Sequence, residues 1–204
     1  MDKAAVLNSI SEKIANCRRC NLWKETTHSV PGEGNPSSKV VFIGEGPGYN
    51  EDKLGRPFVG RAGKLLDKVL LSIGIPREDV FITNIIKHRP PENRDPESGE
   101  ITACKIWLDQ QLEVIKPKVI ITLGRYSLER YIPKAKITNM HGRPTLVKSQ
   151  VVIPMYHPAA ALRSTVILES FKQDFQRNSE ILKYPEKVKT DELKEEDSDQ
   201  ISLF

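Results

Sequence analysis

Three short stretches of this 204-residue chain place chemically capable side chains directly after apolar runs. The first is Gly44-Glu45-Gly46-Pro47-Gly48, whose glycines let a backbone approach a ligand closely and whose Glu45 supplies a carboxylate. The second is Thr83-Asn84-Ile85-Ile86-Lys87-His88-Arg89-Pro90-Pro91, in which the Asn84 carboxamide offers a donor and an acceptor side by side, as an amide-like edge requires. The third runs from Tyr156 through His157 and Pro158 to Arg163, and its imidazole stands just before a helix start, where it has an N–H to give to a developing oxyanion. Taken singly, each has a plainer reading: a structural turn, a turn-capping Asn, a packed or surface His. The glycine-rich turn also suggests a nucleotide phosphate loop, but no Gly-Lys-Ser/Thr ending follows and the dinucleotide fingerprint is not matched. Three cysteines, Cys17, Cys20 and Cys104, argue by their odd number against a disulfide framework and leave buried thiols or metal ligands.

These stretches need elements to position them. Lys39–Ile43, Val80–Ile85, Lys118–Leu123 and Val151–Met155 are apolar runs expected as buried strands. Between them lie helical stripes: Leu65, Leu66, Val69, Leu70 and Ile73, then Cys104, Trp107, Leu108, Leu112 and Ile115. A first helix carries Leu7, Ile10, Ile14 and Cys17 at helical spacing, so Cys17 is expected to face inward, and residues 159–184 are expected to be helical in part. Strands alternating with helices predict a single α/β domain, a mostly parallel four-stranded sheet with helices on both faces. Ligands in such folds bind beyond the carboxyl ends of the strands, where all three motifs fall.

Charge divides the chain. Residues 185–204 hold seven acidic against three basic side chains, a net −4, so residues 1–184 carry +8 of an overall +4. The expected organisation is a basic body over 1–184, suited to a polyanionic partner, and an acidic flexible tail over 185–204. No apolar run approaches the ~18 residues of a membrane span, and the N-terminus lacks a secretory pattern, so a cytoplasmic protein without membrane contact is expected.

GEGPG followed by Glu51-Asp52 and Gly55-Arg56-Pro57-Phe58-Val59-Gly60 resembles the first motif of the family 4 uracil-DNA glycosylases. TNIIKHRPPENRDP and HPAAALR resemble its later motifs, and the likeness runs from about Cys17 to Leu182. It implies the uracil-DNA glycosylase fold, a [4Fe–4S] cluster, uracil-containing DNA as partner, and hydrolysis of the deoxyuridine N-glycosidic bond to an abasic site. It also implies roles. Phe58 stacks on the flipped base, Asn84 reads its Watson–Crick edge, and Glu51 lies near C5, where a thymine methyl would clash. His157 stabilises the departing uracil anion at O2, Glu45 orients the attacking water, and the backbone at Gly46 contacts the base. Ala160, Leu162 and Arg163 belong to a loop that wedges into the duplex and grips phosphates.

The family's four-cysteine pattern maps onto Cys17, Cys20, His88 and Cys104, with His88 where most members have Cys. A Cys3His set also suits zinc, which is the alternative to the cluster. Rival functions are a catalytically silent nucleic-acid-binding protein, disfavoured by Glu45, Asn84 and His157 occurring together, and a nucleotide-dependent transferase, disfavoured by the cysteine framework. A third is the branch that cross-links to abasic sites through a His in an arginine-rich loop; the loop after His88 is proline-rich and has no such His. Finally, Gln200-Ile201-Ser202-Leu203-Phe204 resembles the front of a sliding-clamp-binding peptide, although two positions and a second aromatic are missing, and a chance terminus is the alternative. The protein is otherwise expected to be a monomer.

Overall fold

Side-chain alternation along the strands decides how this sheet is covered. In the computed structural model, which describes residues 2–190 and Leu193, six strands form one sheet. They are β1 (Glu33–Gly34), β2 (Val40–Gly44), β3 (Phe81–Asn84), β4 (Val119–Leu123), β5 (Thr145–Val147) and β6 (Gln150–Met155), in the order β1-β3-β2-β4-β6-β5. The inner four pair in parallel and are the strands expected from the apolar runs. The two edge strands, both antiparallel, were not expected. At two and three residues they are too short to show a period, and β5 joins β6 through a tight turn at Lys148 and Ser149, both at positive φ.

Successive residues of each inner strand enter opposite cores, as the pleat requires. Val40 and Phe42 face one cluster with Ile82, Ile121 and Ile153, while Val41 and Ile43 face the other with Phe81 and Ile120. The helices are α1 (Lys3–Ala15), α2 (Tyr49–Leu54), α3 (Arg61–Ser72), α4 (Ser98–Ile115), α5 (Arg125–Glu129), α6 (Ile137–Met140), α7 (Pro158–Ala161), α8 (Thr165–Arg177) and α9 (Ser179–Lys183). Leu66, Val69 and Leu70 of α3 and Phe171 and Phe175 of α8 fill the first cluster, where Phe175 stacks on Phe42 at 6.0 Å. Leu7, Ile10 and Ile14 of α1 and Cys104, Leu108 and Ile115 of α4 fill the second.

Two expectations are corrected. Cys17 is not on the inward stripe of the first helix: α1 ends at Ala15, Asn16 closes it, and Cys17 N–H turns back to Ile14 O (3.0 Å), leaving the side chain half-buried. Nor does the body stop at residue 184. Pro185–Lys187 forms a single helical turn with Pro185 buried, and Val188 and Leu193 pack on the first core cluster. The clamp-like peptide Gln200–Phe204 lies outside the described residues. Among those described, no helix is long and apolar enough to cross a membrane.

Candidate active site

The parallel register brings the strand ends to one level: Gly44 pairs with Asn84, and Leu123 with Met155. Immediately beyond them opens a cleft of about 540 Å³. Glu45, Gly46, Glu51, Phe58, Asn84, His157, Ala160 and Arg163 all line it. Of the residues singled out for the base, the chemistry and the DNA, only Leu162 does not; it lies next to Arg163 with 39% of its surface exposed.

Each wall has a local cause. Gly44 ends β2 so tightly against its neighbours that a Cβ there would stand 2.4 Å from Asn84 Oδ1 and 2.5 Å from Phe58 Cζ, so only glycine lets these two side chains meet over the strand end. Phe58 itself sits at φ 50°, a left-handed backbone that a bulky residue holds only when its surroundings impose it. Arg77 imposes it. Its guanidinium donates to the carbonyl oxygens of Phe58 (3.2 Å) and Pro57, and is ion-paired to Glu33 and Asp67. Glu51 Oε1 accepts from the backbone N–H groups of Val59 and Gly60, both at 2.8 Å, which fixes the carboxylate beside the Phe58 turn.

Asn84 is 1% exposed, and its Oδ1 is buried without a hydrogen-bond partner among the described residues. An acceptor left this way costs about 1–3 kcal/mol, so it marks a place where a ligand donor completes the structure. Its backbone is held from behind by Lys87, a fully buried lysine whose Nζ donates to Asn84 O (2.8 Å), Thr83 Oγ1 (2.6 Å), Gln111 Oε1 (2.8 Å) and Pro31 O (3.2 Å).

His157 caps α7, and its Nδ1 accepts from the Ala159 N–H at 3.1 Å. That bond leaves the ring proton on Nε2, so the neutral ring is a donor. Burial pulls its pKa down to about 4, against the nearby Glu51 carboxylate and with the help of Arg163, so the ring stays neutral at pH 7. Its ring lies 5.7 Å from that of Phe58. Glu45 moves the other way: burial raises its carboxyl to about 7, Asp95 adds to the rise, and Arg125 opposes it. Asp95 and Arg125, ion-paired to each other, also line the cleft. A carboxylate poised near neutrality, a neutral imidazole donor, an orphaned carboxamide and an aromatic wall can bind a planar amide-like ring and assist departure of an anion from it.

The sequence profile of the uracil DNA glycosylase superfamily matches residues 31–179. A type-4 uracil-DNA glycosylase of Sulfurisphaera tokodaii is 45% identical over 195 residues, covering 91% of this chain and 89% of the relative. Those of Saccharolobus solfataricus and Archaeoglobus fulgidus are each 44% identical, the first over 86% of both chains and the second over 86% of this chain and 92% of its own. The chain belongs to the uracil-DNA glycosylase superfamily, in its type-4 branch.

Several residues of this type-4 site carried no role in the sequence reading. Arg77 and Asp95 have no local pattern that marks them. Lys87 does: it is a lone cation in the run Ile85-Ile86-Lys87, between two buried strand-end residues and His88.

The residues of the family's cysteine pattern gather at the second core cluster, of which Cys104 is a member and against which Cys20 packs. Trp107 Nε1 donates to Cys17 Sγ at 3.2 Å. Burial pushes the thiols of Cys20 and Cys104 up, the latter to about 11, with the Lys87 ammonium and backbone N–H pulling it back and the other two cysteines pushing it further. His88 is buried, and its pKa is lowered by burial and by Arg18, which keeps the imidazole in its ligand form. Among the described residues no three His, Cys, Asp or Glu side chains form a set that closes on a single metal ion. In kind the donor set fits a thiolate-bound group: three thiols near one another, N–H donors at Cys17 and Cys104, and a neutral imidazole next in chain to Lys87.

Proposed function

We propose that this chain hydrolyses the N-glycosidic bond of deoxyuridine in DNA and leaves an abasic site. The observation that carries this reading is the orphaned Asn84 acceptor, buried beside Phe58 at the end of the strands. Uracil offers a donor at N3 and an acceptor at O4, the complement of a carboxamide; cytosine offers the reverse and leaves polar groups unpaired. A base in a duplex cannot reach this cleft, so the nucleotide is flipped into it, with Leu162 and Arg163 at the rim contacting the opened duplex. Phe58 stacks on the ring, Gly46 approaches it through the backbone, and Glu51 closes the side that a thymine methyl would need. As the C1′–N1 bond breaks, the electron pair goes to uracil, and the Nε2–H of His157 stabilises the negative charge at O2. Glu45 orients the water that adds to C1′ and takes its proton.

The test is incubation with a uracil-containing oligonucleotide in EDTA, then alkali and a gel. Cleavage at the uracil position only after alkali is expected; magnesium-dependent cutting, or no abasic product, overturns the reading. The carboxyl of Glu45 adds a pH signature. Its pKa is raised to about 7, so the carboxylate is lost as pH falls through that value, and the single-turnover rate should fall with it and level off above about pH 8. Glu45→Gln should remove this limb and lower the plateau roughly a hundredfold. A pH-independent rate between 5 and 8 in the unaltered enzyme would exclude Glu45 as the base.

Cys17, Cys20, His88 and Cys104 are the residues that would hold a [4Fe–4S] cluster, with zinc as the alternative. Held by these residues, such a group would tie the segment after α1 to α4 and to the loop after β3 and would supply a structural clamp. The protein is expected to be brown, with broad absorption near 400 nm. Because His is neutral where cysteinate is negative, the reduction potential should exceed that of a His88→Cys variant. A colourless protein holding one equivalent of zinc would replace the cluster by the alternative.

A further inference from the structure

Tyr49 is the first residue of α2, between Gly48 and Glu51, both of which line the cleft. It is 56% exposed and packs in none of the hydrophobic clusters. Two cations approach its ring: the Arg89 guanidinium at 5.2 Å from the centroid and the Lys53 ammonium at 5.7 Å. Arg89 is fixed in turn by a bond from its Nε to Asn93 Oδ1 (2.8 Å), and Asn93 and the neighbouring Pro90 also line the cleft. The rim on this side therefore holds a half-exposed aromatic ring with two cations loosely placed over it, which a base can displace as it stacks.

We propose that Tyr49, with Arg89, is a binding subsite for the DNA nucleotide flanking the flipped uridine: the tyrosine ring stacks on an unpaired base, and Arg89 faces the adjoining phosphate. An aromatic ring paired with a basic side chain is the combination by which proteins hold single-stranded nucleic acid, because every base has a π-face and every link a charge. The subsite is continuous with the cleft, so the strand that delivers a base past Gly48 passes over Tyr49. In a duplex the flanking base is already stacked and paired, and it gains less from the tyrosine. The subsite should therefore matter more for single-stranded than for duplex substrate. This proposal takes its ligand from the glycosylase reading, and the test separates the two.

The probe is a fluorescein-labelled oligonucleotide with one 2′-fluoro-2′-deoxyuridine, whose electron-poor sugar resists loss of the base. Its Kd is measured by anisotropy, single-stranded and as a duplex, while excision of ordinary uracil is followed separately at saturating enzyme. Tyr49→Ala should weaken single-strand binding about tenfold and duplex binding by less than threefold, with the saturating excision rate unchanged. Tyr49→Phe should bind like the unaltered protein, since the ring and not the hydroxyl is used. Arg89→Gln should weaken binding and flatten its salt dependence. Single-strand binding by Tyr49→Ala within twofold of the unaltered protein overturns the proposal, as does an equal loss on both substrates. An absence of excision, with the binding pattern intact, would instead strike at the glycosylase reading.

Discussion

His157→Ala should lower single-turnover excision by about 10²–10³ with the fold intact, the cost of removing one preorganised donor to a developing oxyanion. Two features of the site set this expectation. The Ala159 N–H occupies Nδ1 and commits the ring proton to Nε2, and burial holds the pKa near 4, so the donor is neutral across the working range. A neutral donor has a further consequence: His157 adds no titration between about pH 5 and 9, so a limb near 7 comes from Glu45 or from Lys87, which burial lowers to about 7, and Glu45→Gln tells the two apart. The loss in His157→Ala should accordingly be the same size at pH 6 and pH 8, with the Glu45 limb still visible in the residual rate. His157→Gln, which keeps an N–H at similar reach, should recover part of the rate. A variant within about threefold of the unaltered enzyme would remove His157 from the chemistry. A loss that grows steeply as pH falls would mean that the imidazolium, and not the neutral ring, is the working form.

How far the site was legible in the sequence follows from the ranges of the forces that build it. The four inner strands are fully buried and therefore continuously apolar, so β2, β3, β4 and β6 were visible as runs within a residue or two of their ends. Once the sheet was parallel, topology alone placed Glu45, Asn84 and His157 together, because each follows or ends a strand. What stayed hidden depends on contacts between distant segments. Arg77 reaches back some twenty residues to the carbonyls of Pro57 and Phe58, and nothing in its neighbours announces the left-handed turn it holds. The pairing of Asp95 with Arg125 beside Glu45 joins the loop before α4 to the start of α5, and both are ordinary surface residues in the sequence. Cys17 failed for the opposite reason: its spacing continued the helical stripe, but the turn at Asn16 ended the helix first.

Asn84 offers the sharpest separation of function from stability. Its Oδ1 is buried with no hydrogen-bond partner among the described residues, a state that costs about 1–3 kcal/mol and is relieved when a donor arrives. Asn84→Ala removes that orphan. It also removes packing against Phe58, but not the hold of Lys87, which grips the main-chain oxygen of residue 84 and needs no side chain there. The two changes oppose each other, so the variant's Tm should lie within about 4 °C of the unaltered protein, and on either side of it. Activity should behave quite differently. Both bonds to the base edge vanish, at about 1–3 kcal/mol each where no water can replace them, and uracil excision should fall by about 10²–10³. Stacking on Phe58 survives, so the residual activity should discriminate less between uracil and cytosine than the unaltered enzyme does. Thermal melts and single-turnover rates on matched uracil and cytosine oligonucleotides measure all three. An excision rate within threefold of the unaltered enzyme would show that the orphaned acceptor is not what reads the base. A Tm lowered by more than about 10 °C would show that Asn84 is a strut of the sheet end and not an unsatisfied group kept for its ligand.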